Sequence, residues 1–201
     1  GAAPPPVCRT APKGSKPKAA PAMVESAGGG GGGHGAKGGA VAEEKIEYPA
    51  QPSGGIRQIP ANVIEFGQPI GKGCFGSVFQ GTWQGLPVAI KHLEPKQNAE
   101  ENAKMVAEFE NESSLMYKMP KHDHVTYLVG ITQPPQLCII IEYLPRRDLA
   151  NLLLDKSNAV SEQQQFMWAK GTASGLAHVH AHRIVHRDIA ARNVLLGADF
   201  T

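Results

Sequence analysis

The sequence predicts an α+β fold behind a disordered tail, and three observations predict it. Composition changes sharply near residue 60. Short β-branched and aromatic runs broken by glycine then fill residues 63–93, and helical periodicity follows at 100–119 and after 161.

Thirteen of the 23 glycines and nine of the 16 prolines lie in Gly1 to Pro60, with one of the twelve aromatic residues, Tyr48. Such a segment buries too little apolar surface to offset its ordering entropy. The unbroken run Gly28 to Gly33 marks its centre as a flexible linker. Residues 1–61 are therefore expected to be a disordered Gly/Pro-rich tail, and residues 62–201 the folded part.

Charge divides at the same place: the first sixty residues carry +3 and the remainder −1, within a total of +2. Lys13, Lys16 and Lys18 are interleaved with proline and alanine and form no amphipathic basic face. With no aromatic stacking platform or zinc spacing, no nucleic-acid partner is expected. One Pro-x-x-P, at Pro49 and Pro52, is too little to name a partner, and nothing fixes an oligomeric state. Cys8, Cys74 and Cys138 are odd in number and widely spaced, which argues against a disulfide framework and for a reducing compartment. The apolar run at Leu137 to Ile141 is too short for a transmembrane segment, and the N-terminus has neither a signal-peptide core nor a myristoylation pattern. A cytoplasmic protein is the expectation. Because the first residue is Gly rather than Met, a piece of a longer chain is expected at this end.

Ordered chain is expected from Asn62. Residues 67–79 read as strand, glycine-rich turn, strand, with Gly71, Gly73 and Gly76 at offsets 0, 2 and 5. Without Cβ atoms the backbone approaches phosphates closely and points N–H groups at them. A dinucleotide-binding turn would lead into a helix, whereas Val78, Phe79 and Trp83 predict a second strand. A hairpin lid over nucleotide phosphates is preferred. Cys74 in that lid has two readings, a reactive thiolate or the more ordinary buried or solvated thiol.

Val88-Ala89-Ile90-Lys91 predicts a third strand. In Glu100 to Met119 the positions Met105, Phe109, Glu112, Met116 and Met119 share one helical face. A carboxylate in an apolar stripe is costly unless paired, and Lys91 is the candidate partner. Val125 to Ile131 and Leu137 to Leu144 predict strands about the Pro134-Pro135 turn, the second covered on both faces. Asp148 is placed to cap a short Leu-rich helix, and Ser161 with Gln164 forms a capping box. The helix it starts is expected to share Phe166, Ala169, Ala173, Leu176 and His180 on one face.

His186-Arg187-Asp188, followed by Asn193 between apolar flanks, reads as a phosphoryl-transfer loop. A carboxylate there can accept the proton of a substrate hydroxyl, and an amide oxygen five residues later can reach a metal ion. A metal site among His178, His180, His182 and His186 is disfavoured: the first two point to different sides of a helix, and no His-Glu-x-x-His is present.

From Val63 to Thr201 these motifs, in this order, resemble the protein kinase superfamily. The resemblance implies a protein-kinase-like fold, an antiparallel N-lobe sheet with helix C (about 62–144) and the beginning of a helical C-lobe (145–201). It implies ATP and Mg2+ as cofactors and a protein or peptide substrate. Ile70, Gly71, Gly73, Phe75 and Gly76 match the glycine-rich loop region, and Val78 and Ala89 the residues around adenine. Lys91 matches the lysine that holds the α and β phosphates, and Glu112 its partner. Ile141 falls at the gatekeeper, with Glu142, Tyr143 and Leu144 as the hinge. Met116, Leu128 and His186 fall on the regulatory spine, Asp188 on the catalytic base and Asn193 on the magnesium ligand.

Ala190-Ala191-Arg192 resembles tyrosine kinases, with Arg192 as cationic help to the transferring phosphate, and residues 81–91 are similar to the tyrosine-kinase-like group. The expectation is a tyrosine-directed kinase, with a Ser/Thr or dual-specificity enzyme, or a pseudokinase scaffold, as alternatives. The family's Asp-Phe-Gly does not occur before Thr201, because Asp199-Phe200-Thr201 lacks the glycine and comes too early. The chain is thus expected to be truncated before that motif and its activation segment, inactive alone, and poorly folded at its C-terminal end.

Overall fold

The computed structural model describes residues 23–24, 46–72, 76–155 and 157–197. Its centre is a five-stranded sheet of β2 (Ile64–Lys72), β3 (Gly76–Trp83), β4 (Leu86–Leu93), β5 (Leu128–Ile131) and β6 (Cys138–Glu142). Their order is β2-β3-β4-β6-β5, every neighbouring pair antiparallel. A two-residue strand β1 (Met23–Val24) lies parallel to β7 (Val194–Leu195) in a separate ladder.

Helix α1 (Ala99–Lys118) crosses between β4 and β5. The Asn98 side chain accepts the N–H groups of Glu100 and Glu101, which satisfies two of the helix's free amides. Its buried residues are Met105, Phe109, Ser113 and Met116, and they pack with Leu93, Leu128, Ile131 and Ile139 on one face of the sheet. Ser113 is satisfied there by donating to Phe109 O at 2.8 Å.

The opposite face carries Val88 and Ile90 from β4, Val129 from β5, and Cys138 and Ile140 from β6, joined by Tyr48 and Ile59. The two-residue alternation of a strand divides each strand's residues between these clusters. Strand β6 is thus covered on both faces. One cover comes from residues ahead of Asn62, a stretch expected to be tail. Ile59 N–H donates to Ile131 O at 2.8 Å, and Ile131 N–H to Arg57 O at 2.9 Å, so residues 57–59 close the outer edge of β5. Gln51 donates to Leu128 O and Val129 O and accepts from Arg57 N–H. Arg57 in turn lies 5.4 Å over the Trp83 ring. Composition hid this segment because its few apolar and amide side chains are spaced to fit the sheet rather than to repeat.

Past the sheet, Asp148 caps α2 (Leu149–Leu154) by accepting Asn151 N–H. Ser161 and Gln164 form the capping box of α3 (Glu162–Ala181). The buried face of α3 is Trp168, Gly171, Gly175 and Val179, one position round from the expected stripe, and Phe166 is 68% exposed. Close packing explains the rotation: a Cβ on Gly175 would lie 2.3 Å from His124 O, so the glycine face admits the loop that follows α1. Among the described residues no helix is long and apolar enough to cross a membrane.

Candidate active site

Strand register builds the upper half of the site. Gly71 pairs with Val78, Val78 with Lys91, and Lys91 with Ile139, while Ala89 pairs with Ile141. Residues directly opposite share a face, so Val78, Ala89, Lys91 and Ile141 lie on the side covered by α1. From that helix Glu112 Oε2 meets Lys91 Nζ at 2.5 Å, with side-chain exposures of 20% and 22%. Ile70 and Gly71 lie near the end of β2, at the rim of this surface. Gly76 starts β3 where a Cβ would lie 1.9 Å from His92 O, so only glycine fits there. The turn residues Gly73, Cys74 and Phe75 lie outside the described residues.

Glu142 ends β6. Its N–H donates to Tyr127 O at 3.0 Å and its Oε1 accepts Tyr127 N–H at 2.6 Å. Two backbone-linked contacts thus fix the start of the segment crossing from sheet to helices, and Leu144 follows with its N–H unpartnered among the described residues.

The lower half is a compact loop. His186 is 2% exposed and its Nδ1 accepts Asp188 N–H at 3.4 Å. Arg187 between them has φ 66°, the left-handed region a non-glycine residue enters at a cost. Asn193 Nδ2 donates to Asp188 O at 2.7 Å and to Asp188 Oδ2 at 3.0 Å, and the Arg192 guanidinium donates to Asp188 Oδ1. The Asn193 bond first, and Arg192 beside it, hold the Asp188 carboxyl below the ordinary carboxylate value. Both acidic oxygens are therefore acceptors. Because Asn193 spends its NH2 on Asp188, its Oδ1 is the atom left to a cation, which fits a hard metal ion's demand for oxygen.

Met116 and Leu128 share the α1 cluster, and His186 is buried. Four histidines gather elsewhere: the His122 and His178 rings stack at 4.5 Å, and His182 and His124 flank them. His178 Nε2 donates to Pro120 O and His182 Nδ1 to His178 O, so this cluster ties α3 to the loop after α1. Among the described residues no three His, Cys, Asp or Glu are placed to hold a metal.

Residues 64–201 match the protein tyrosine and serine/threonine kinase family. The chain is 33% identical over 141 residues to the probable serine/threonine-protein kinase drkD of Dictyostelium discoideum, covering 69% of this chain and 11% of that protein. It is 34% identical over 148 residues to the serine/threonine-protein kinase CTR1 of Arabidopsis thaliana, covering 71% and 18%. To the serine/threonine-protein kinase STY46 of the same plant it is 30% identical over 141 residues, covering 70% and 24%. The chain thus spans less than a quarter of each of these relatives. A glycine-bounded hairpin, a lysine held by a helix glutamate, and an Asp–Asn loop stand in this chain in the family's order, and the chain belongs to the protein tyrosine and serine/threonine kinase family.

Proposed function

We propose that the protein carrying this chain transfers the γ-phosphoryl group of ATP to a protein hydroxyl. The observation that carries the reading is the Lys91–Glu112 ion pair on the same sheet face as Val78 and Ala89. Glu112 holds the ammonium over a wall that is otherwise apolar, where it meets α and β phosphates and Val78, Ala89, Ile141 and Leu144 enclose adenine. Gly71 and Gly76 bound the hairpin turn that covers the phosphates. Asn193 Oδ1 would be this chain's ligand to Mg2+, which would supply charge neutralisation.

In the transfer, a bond forms between the acceptor oxygen and the γ-phosphorus as the bond to the bridging oxygen breaks. The hydroxyl proton passes to Asp188, whose ionised carboxylate orients the nucleophile. Arg192 holds that carboxylate and lends positive charge to the phosphate in flight. Positioning and electrostatics thus supply most of the rate.

The relatives' names support a serine or threonine acceptor. A tyrosine acceptor is the second reading, and Ala190-Ala191-Arg192 favours it, because small residues beside the base leave room for a flat ring. Phosphoamino-acid analysis of peptides labelled by the full-length protein separates the two. Absence of any Lys91-dependent label would sink the proposal as a whole.

A further inference from the structure

Residues 46–60 form a strap around the outer edge of β5, with Tyr48 and Ile59 on the sheet face opposite α1, and one hydroxyl in it reaches the segment that leaves the sheet toward the helices. Tyr48 Oη donates to Pro87 O at 2.6 Å, at the start of β4, and accepts Tyr143 N–H at 3.1 Å, one residue past the end of β6. Pro87 belongs to β4 and Tyr143 follows the end of the neighbouring β6, so a single phenol ties β4 to the exit of β6.

The tie has support around it. Tyr48 is buried among Ile59, Trp83, Val88 and Ile140, and its ring lies 6.4 Å from that of Tyr127. Tyr127 Oη donates to Pro49 O at 3.1 Å, and Tyr127 N–H is the group that Glu142 Oε1 accepts. Burial, the largest influence, pushes the Tyr48 phenol up to about 12, so it stays a donor through the whole neutral range. Strap and exit segment are therefore joined by partly buried hydrogen bonds that cost free energy to leave unmade.

We propose that Tyr48 is a positioning residue for the adenine nucleotide: its hydroxyl holds Tyr143, and through it the Leu144 N–H, at the distance from Ala89 that the purine must span. The inference rests on the adenine site proposed above and adds a control on it from outside the cleft. It is also a physical reason for the strap to belong to the domain, since the strap touches the site's frame without touching the site.

The test uses the 201-residue chain, its Tyr48→Phe variant and a Tyr117→Phe control. The control removes a strap contact that involves neither Tyr48 nor Tyr143, Tyr117 Oη to Pro52 O at 3.4 Å. Phe keeps the packing of Tyr48 and deletes only the hydroxyl. Losing one partly buried tie predicts that the Tyr143 amide exchanges about tenfold faster relative to Ile140, and that a fluorescent ATP analogue binds about two- to tenfold more weakly. Tyr117→Phe should leave both unchanged. Unaltered Tyr143 exchange in Tyr48→Phe, or acceleration shared equally by Ile140 and Tyr143, overturns the positioning role. If the unmutated chain does not bind the analogue, the adenine site itself fails, and Tyr143 exchange still decides whether Tyr48 holds the segment.

Discussion

Lys91 Nζ lies 2.5 Å from Glu112 Oε2, joining β4 to α1 at a position where both side chains are four-fifths shielded from water. Around it the helix and sheet contribute Met116, Phe109, Leu128 and Ile139, so neither charge has another ionic partner among the described residues. Removing one member of such a pair leaves the other partly desolvated, which costs on the order of 1–3 kcal/mol. Lys91→Met is expected to abolish phosphoryl transfer in the full-length protein, by about a hundredfold or more, while circular dichroism shows the fold retained. Glu112→Gln, which keeps a hydrogen-bond acceptor, should fall between the two in ATP affinity. Turnover at the unmutated rate in Lys91→Met would remove Lys91 from the mechanism.

Asp188 gives a prediction in pH. Its carboxyl is held below the ordinary 3.8 chiefly by the Asn193 side chain, then by Arg192. A folded value below the unfolded one means that the folded state binds the proton less well. The stabilisation is complete above the unfolded value and is lost as pH falls through the folded one. Asn193→Ala removes the largest cause, so the Asp188 titration should move upward, toward 3.8. Carbon NMR of the labelled Asp188 carboxyl reads this directly, and an unshifted titration would assign the depression to Arg192 instead.

The divided legibility of the chain has a physical basis. Lys91, Glu112, Asp188 and Asn193 were readable because chemistry demands particular side chains at particular offsets, and both caps, Asp148 and Ser161, announce themselves within four residues. Tyr48, Gln51, Arg57 and Ile59 were not, because their partners, Pro87, Leu128, Trp83 and Ile131, lie far along the chain. A Gly/Pro-rich composition describes average burial and is silent on four well-placed anchors. The face of α3 was misjudged for a related reason. Periodicity counts large apolar residues, yet there Gly175 forms the contact because the backbone at His124 has to come close.

That contact can be tested alone. A Cβ at Gly175 would meet His124 O at 2.3 Å, a backbone atom that cannot swing aside. Gly175→Ala is therefore expected to destabilise the chain by about 1–3 kcal/mol in denaturant unfolding, despite alanine's better helix propensity. Gly54→Ala is the matched comparison: nothing lies within 4 Å of its Cβ, and its effect should stay within about 0.5 kcal/mol. Equal midpoints for the two would show that the loop after α1 gives way freely.

The strap makes the last prediction, about where folding begins. Ile59 is 3% exposed, and its neighbours Arg57 and Gln58 pair with Ile131 along the edge of β5. Trimming it to alanine deletes three buried carbons and is expected to cost about 2–4 kcal/mol. A version starting at Asn62 loses that packing, uncovers Val88, Ile90 and Ile140, and bares the edge of β5 to other strands. It should unfold at lower denaturant and associate at concentrations where a version starting at Glu43 stays monomeric. Light scattering and unfolding midpoints measure both effects. Matching behaviour of the two versions would return residues 46–61 to the tail, whereas separation of the two places the start of the domain ahead of Tyr48.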